Sequence, residues 1–97
     1  PNREASPKNG HKAYENYLKT SVAVFIAQNP QALRGRVVLN FTVKPSGELS
    51  GFENKNKANQ LLFEEAMRIV KSGDAWSPPL KNGQSVEGKV RLVIRFE

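Results

Sequence analysis

The stretch Gly35-Arg36-Val37-Val38-Leu39-Asn40-Phe41-Thr42-Val43-Lys44 decides the fold. Successive side chains of a strand alternate between faces, so Val37, Leu39, Phe41 and Val43 fall on one side of the pleat. Val38, Asn40, Thr42 and Lys44 fall on the other. One side is continuously apolar and the other mixed, which predicts a core on one face and a wetter opposite face. β-Branched and aromatic residues dominate, as a pleated, half-buried surface requires. The strand ends at Pro45-Ser46-Gly47, where proline presets φ and glycine permits positive φ. The remaining elements read as neighbours for this strand.

Beyond the turn the chain doubles back. Residues 48–54 predict a second, weaker strand in which Leu49 and Phe52 break strict alternation. Gly51 between them permits a bulge that returns Phe52 to the core side. A helix is expected over about residues 59–72, with Leu62, Phe63, Ala66, Ile69 and Val70 in one apolar stripe and Met67 at its border. Glu64 and Arg68 have the favourable i,i+4 orientation, and Gly73 is a natural stop. Trp76, the only tryptophan, precedes Pro78-Pro79 and reads as a plug at one end of the core. Lys81-Asn82-Gly83-Gln84 is a turn. The last strand begins near Ser85 and is strongest from Lys89 to Glu97, with Val90, Leu92, Ile94 and Phe96 pointing one way.

Upstream of the central strand, Tyr14, Tyr17, Leu18, Val22 and Phe25 recur at helical spacing, and the helix must end by Asn29-Pro30. Residues 1–10 have no apolar periodicity and read as a polar leader or linker end. The predicted architecture is an α+β two-layer domain over residues 11–97. Its order is α-β-β-α-β, a three-stranded antiparallel sheet with two helices packed on one face.

The 97 residues make one domain. The formal net charge of +6 favours acidic partners without choosing among them. There is no cysteine, which excludes disulfides, thiolate chemistry and zinc–cysteine sites. No apolar run approaches the roughly 20 residues that span a bilayer. The abrupt polar start at Pro1 leaves room for an anchor or address upstream.

Catalytic signals are missing from the pattern. His11, the only histidine, lies in the polar leader. Glu64 and Glu65 are adjacent helical residues that do not face each other, so they make no acid/base couple. The seven glycines are dispersed and form no phosphate loop. No enzyme, metal or cofactor is expected. Nucleic acid is not expected either, because Phe41 and Phe96 lie on inward faces and leave no aromatic platform beside the basic residues.

The last strand carries the functional signal. With residues 35–44 central and residues 48–54 on one side, it lies at an edge, where unpaired N–H and C=O groups accept an extended peptide. The expected peptide-binding residues are Lys89, Val90, Arg91, Leu92, Val93, Ile94, Arg95 and Phe96. Lys89, Arg91 and Arg95 discourage self-association by like charge and favour an acidic strand. Two identical edges joining as a dimer is the competing use.

Gly35-Arg-Val-Val-Leu-Asn-Phe-Thr-Val-Lys-Pro-Ser-Gly-Glu-Leu49 resembles the first hairpin of TonB C-terminal domains. Phe63-Glu-Glu-Ala-Met-Arg68, Trp76-Ser-Pro78, Asn82-Gly83 followed by Val86, and Gly88-Lys-Val-Arg-Leu-Val-Ile-Arg-Phe96 resemble that family's second helix, its Trp-x-Pro and its closing strand. Residues 10–22, with Tyr14 and Tyr17-Leu18, resemble the lead-in helix of such domains from Bacteroidetes-type bacteria. Two features depart from the family pattern. The Tyr-Pro pair before the first strand is replaced by the region of Val22 to Ala27, and Ser46-Gly47 lacks the commoner Asp.

The resemblance implies a periplasmic domain, held to the inner membrane by a segment absent from this chain and acted on there by an energising complex. It implies capture of the TonB-box peptide of an outer-membrane transporter by strand addition to residues 89–96, coupling inner-membrane energy to transport. Similar domains also end other envelope membrane proteins. A sensory or scaffold role there is the alternative.

Overall fold

The computed structural model describes residues 2–97. Its elements in chain order are β1 (Ser6–Pro7), α1 (His11–Gln28), β2 (Gly35–Val43), β3 (Leu49–Asn54), α2 (Gln60–Ser72), β4 (Trp76–Ser77), β5 (Leu80–Lys81), β6 (Gln84–Ser85) and β7 (Gly88–Phe96). The main sheet has the order β3-β2-β7, antiparallel throughout. It is an α+β domain of two helices and a three-stranded sheet, as the periodicities imply.

β2 is central because its core face can be fully covered. Val37, Leu39, Phe41 and Val43 are all buried, and α2 packs Leu62, Ala66, Ile69 and Val70 into the same core. The opposite face is less uniformly wet than the alternation implies. Val38 is also buried, and the turn after β3 bonds to its backbone. The Asn56 side chain accepts from Val38 N–H at 3.0 Å and donates to the Arg36 carbonyl at 2.9 Å. One amide side chain thereby extends the β2–β3 ladder past the end of β3.

The bulge expected at Gly51 is present. Asn40 pairs with Glu53 and Thr42 with Ser50, so Gly51 and Phe52 together oppose Phe41. Gly51 takes φ 64°, a left-handed conformation that costs glycine nothing. The extra residue turns Phe52 to the core side, where it stacks on Phe41 at 5.3 Å between ring centroids.

α2 starts at an Asn59 cap, whose side chain accepts from the N–H groups of Leu61 and Leu62. Two details of its surface differ from the sequence reading. Arg68 pairs with Glu65 at i,i+3, whereas Glu64 accepts from Gln60 at 3.0 Å. Gly73 ends the helix in an extended conformation, φ −87°, so chain reversal is not what demands glycine there. A Cβ at Gly73 would lie 2.5 Å from the Tyr17 ring. The Tyr17 hydroxyl donates to the Ile69 carbonyl at 2.6 Å, and that bond ties α1 to the last turn of α2.

Trp76 closes one end of the core, as expected of a plug. It is 2% exposed and packs edge-on against Tyr14 and Phe41. Burial pushes the Tyr14 phenol above its ordinary pKa, with the neighbouring Trp76 working in the opposite direction. Next to this plug lies a ribbon that the polar leader did not announce. Ser6 pairs with Ser77 and Pro7 with Trp76, Arg3 and Leu80 exchange backbone bonds, and Lys8 N–H donates to the Ala75 carbonyl at 2.9 Å. The Asn82-Gly83 turn, with positive φ at both residues, closes a two-residue hairpin between β5 and β6. Ser85 belongs to that hairpin, and the last strand starts at Gly88 rather than near Ser85.

Candidate functional site: the outer edge of the last strand

β7 has one partner in the sheet, β2, in an unbroken register from Gly35 opposite Phe96 to Val43 opposite Gly88. Its other side has no strand among the described residues. The direction of its backbone groups follows from the bonds of β2. Val38 N–H and C=O, the Arg36 C=O and the Lys44 N–H are all engaged on the β3 side, by Asn56, Lys55 and Glu48. Even-numbered residues of β2 therefore turn their polar groups away from β7. Directly opposite residues in an antiparallel pair share that property. Lys89, Arg91, Val93 and Arg95 sit opposite Thr42, Asn40, Val38 and Arg36, so they turn N–H and C=O to the open side. Gly88, Val90, Leu92, Ile94 and Phe96 bond inward to β2.

The side chains divide the same way. Ile94 and Phe96 are buried and Val90 and Leu92 half-buried, on the helix side. Lys89, Arg91, Val93 and Arg95 are exposed on the helix-free side. The eight residues 89–96 therefore have two jobs. Four anchor the strand in the core and four present both backbone and side chain at the rim.

At the Val93–Arg95 end of this rim lies a cleft that the sequence pattern did not reveal. Glu15, Leu18, Lys19 and Val22 of α1 face Val93, Ile94 and Arg95 across a cleft of about 240 Å³. Finding it requires knowing which side of α1 overhangs the sheet. α1 is apolar over a broad arc, with Val24 exposed on its far side, so its periodicity does not settle the question. The first departure from the family pattern, Val22 to Ala27, is thus helix, and Val22 is a wall of the cleft. Toward Gly88 the rim meets Glu4 and Ala5 of the leader in a second cleft of about 440 Å³.

The charged side chains that β7 itself turns to the rim, Lys89, Arg91 and Arg95, are all cationic, while Glu15 lines the cleft at Arg95 and Glu4 and Glu87 line the one at Lys89. Among the described residues Arg95 has one ion pair, with Glu97 at 3.8 Å, and Arg36, Lys89 and Arg91 have none. Elsewhere, a cleft of about 800 Å³ lies between the end of α1 and the start of α2, beside exposed Leu33 and Leu61. Its carboxylates are engaged already, Glu65 by Arg68 and Glu64 by Gln60. No group of three or more His, Cys, Asp or Glu side chains converges among the described residues. No helix among them is long and apolar enough to cross a membrane.

Comparison with known proteins gives one match. Residues 28–97 match the family model described as Gram-negative bacterial TonB protein C-terminal. Neither the search of curated proteins nor that of solved structures found a match. The family match starts at residue 28, so it does not support the narrower likeness to Bacteroidetes-type domains, which rests on residues 10–22. Members of this family are periplasmic, non-enzymatic domains that energise transport through TonB-dependent outer-membrane transporters. With 70 of its 97 residues inside the match, the chain belongs to the TonB C-terminal domain family.

Proposed function

We propose that this domain captures the extended N-terminal peptide, the TonB box, of an outer-membrane transporter by adding it as a strand to the free side of β7. The observation that carries the reading is the row Lys89, Arg91, Val93 and Arg95, whose N–H and C=O groups face outward with no strand among the described residues beside them. Main-chain bonds supply affinity with little demand on guest sequence, and the α1 cleft supplies a shelf for alternate guest side chains. In this reading an upstream segment anchors the domain to the inner membrane, and a proton-driven complex there pulls on the guest through the domain. A pull resisted by a ladder of hydrogen bonds along nine residues suits β7, whose register is unbroken.

Titrating a transporter TonB-box peptide into isotope-labelled protein checks this. Amide shifts should begin at residues 89–95 and at Leu18 and Val22. Shifts confined to α2 or β3 would reject strand addition at β7. The reading as a sensory or scaffold domain of another envelope protein shares the same rim, and the guest is what separates the two.

A further inference from the structure

We infer that the helix-free face of the sheet docks on an anionic lipid bilayer, seating Val93 among the headgroups. The inference concerns the flat of the sheet and is independent of any guest at its edge. Directly paired residues of neighbouring strands turn their side chains to the same face. The helix-free face therefore carries the pairs Arg36–Arg95, Val38–Val93, Asn40–Arg91 and Thr42–Lys89. Lys55 extends the second pair on the β3 side, where its N–H donates to the Val38 carbonyl at 2.9 Å. Val38 is buried and Val93 is 44% exposed, so the face has an apolar centre open to its surroundings. Arg36 and Arg95 flank that centre along the strands, Arg91 flanks it on the opposite side, and Lys55 stands at its end. All four cations are exposed. Arg36 and Arg95 also form a pair whose backbone groups point apart. Side chains in such a pair are closest, and like charges directly opposite destabilise a sheet.

The acids of this face stand at its margins. Glu97 lies 3.8 Å from Arg95, and Glu53 pairs with Asn40, which separates it from Arg91. Glu87 tempers the Lys89 end, so the positive field is strongest about Val93. An apolar group ringed by long cationic side chains matches a headgroup layer. The guanidinium and ammonium groups reach lipid phosphates while the apolar centre meets the boundary with the acyl chains. A free phosphate would leave Val93 without a partner. A nucleic acid would find no aromatic side chain here on which to stack its bases. Side chains stand roughly perpendicular to the sheet, whereas the ladder bonds lie in its plane. Docking through the face thus leaves the outer edge of β7 uncovered. Members of the family energise transport through outer-membrane transporters, and this orientation brings that edge to a membrane surface.

Cosedimentation of the whole domain with lipid vesicles tests this. Vesicles of phosphatidylcholine containing about one third phosphatidylglycerol should bind it, less so as salt rises, and vesicles of phosphatidylcholine alone should not. The triple variant R36Q/R91Q/R95Q should lower the partition coefficient by about tenfold or more. The charge-matched control K8Q/K12Q/K81Q, altered on the leader, α1 and β5, should lower it by less than about threefold. In bicelles of the anionic mixture carrying a spin-labelled lipid, amide signals of residues 36, 38, 91, 93 and 95 should broaden first and those of α2 last. Equal losses from the two triple variants, or broadening centred on either helix, would overturn the inference, since net charge or another surface would then be responsible. Equal binding to both kinds of vesicle, or binding to neither, would overturn it as well. None of these outcomes bears on strand addition, which the peptide titration tests separately.

Discussion

β3 and β7 are the two outer strands of one sheet, and each has a side without a strand partner among the described residues. β3 has six residues, broken by the Gly51 bulge, and its end is folded back on itself by Asn54, which both donates to and accepts from the Ala58 backbone at 2.9 Å. Lys71 of α2 lies 5.2 Å from the Phe52 ring centroid. β7 has nine residues in unbroken register and no bulge. Sheet edges are hazards because they template further pairing, and short length, bulges and charge are the usual remedies. β3 uses the first two and so spoils the ladder itself. β7 uses only charge, which repels a second copy of the same edge and leaves the ladder usable by a guest of opposite sign. This contrast supports the proposal that β7, and not β3, is the docking edge.

Substitutions can break or sharpen that contrast. The largest effect is expected from Trp76→Ala, which empties the plug between Tyr14 and Phe41 and should cost about 3–5 kcal/mol in denaturant unfolding. Trp76 is on neither rim, so the fraction that stays folded should bind peptide with unchanged affinity. Val93→Pro comes next. Its N–H faces the open side, so the fold should survive, since proline is tolerated at such edge positions. Peptide affinity by calorimetry should fall by tenfold or more, roughly 1.4 kcal/mol or above. If binding survives unchanged, β7 is not the docking edge.

Gly73→Ala should cost about 1–3 kcal/mol by overpacking, because the new Cβ collides with the Tyr17 ring. Any loss of peptide affinity beyond the stability loss would show that the seating of α1 shapes the cleft. Gly51→Ala forces a left-handed conformation on alanine and should cost about 1 kcal/mol. Affinity at β7 should not move. A parallel fall in affinity would mean that the bulged edge takes part in docking, and the contrast between the two rims would fail.

Much of this was readable from residue order. Val37, Leu39, Phe41 and Val43 announced the central strand, and Gly51 between Leu49 and Phe52 announced the bulge. Both depend on nearest neighbours and on a two-residue period, which sequence carries directly. The edge position of residues 88–96 followed from the central strand having only two sides to fill. What was not legible depends on contacts distant in sequence. The pairing of residues 3–8 with 75–80 involves two-residue strands, too short for any periodicity. The Asn56 side chain bonds the Val38 backbone from 18 residues away. Gly73 is required by Tyr17, not by its own turn. The cleft walls Glu15, Leu18, Lys19 and Val22 depend on the roll of α1 about its axis, which its broad apolar arc leaves open.

Amide hydrogen exchange along β7, free and with a saturating TonB-box peptide, is the most direct test. In the free domain Val90, Leu92, Ile94 and Phe96 should exchange slowly, and Lys89, Arg91, Val93 and Arg95 quickly. With peptide bound, those four should become protected. Protection of the four in the free domain, or continued fast exchange with peptide bound, would contradict the account.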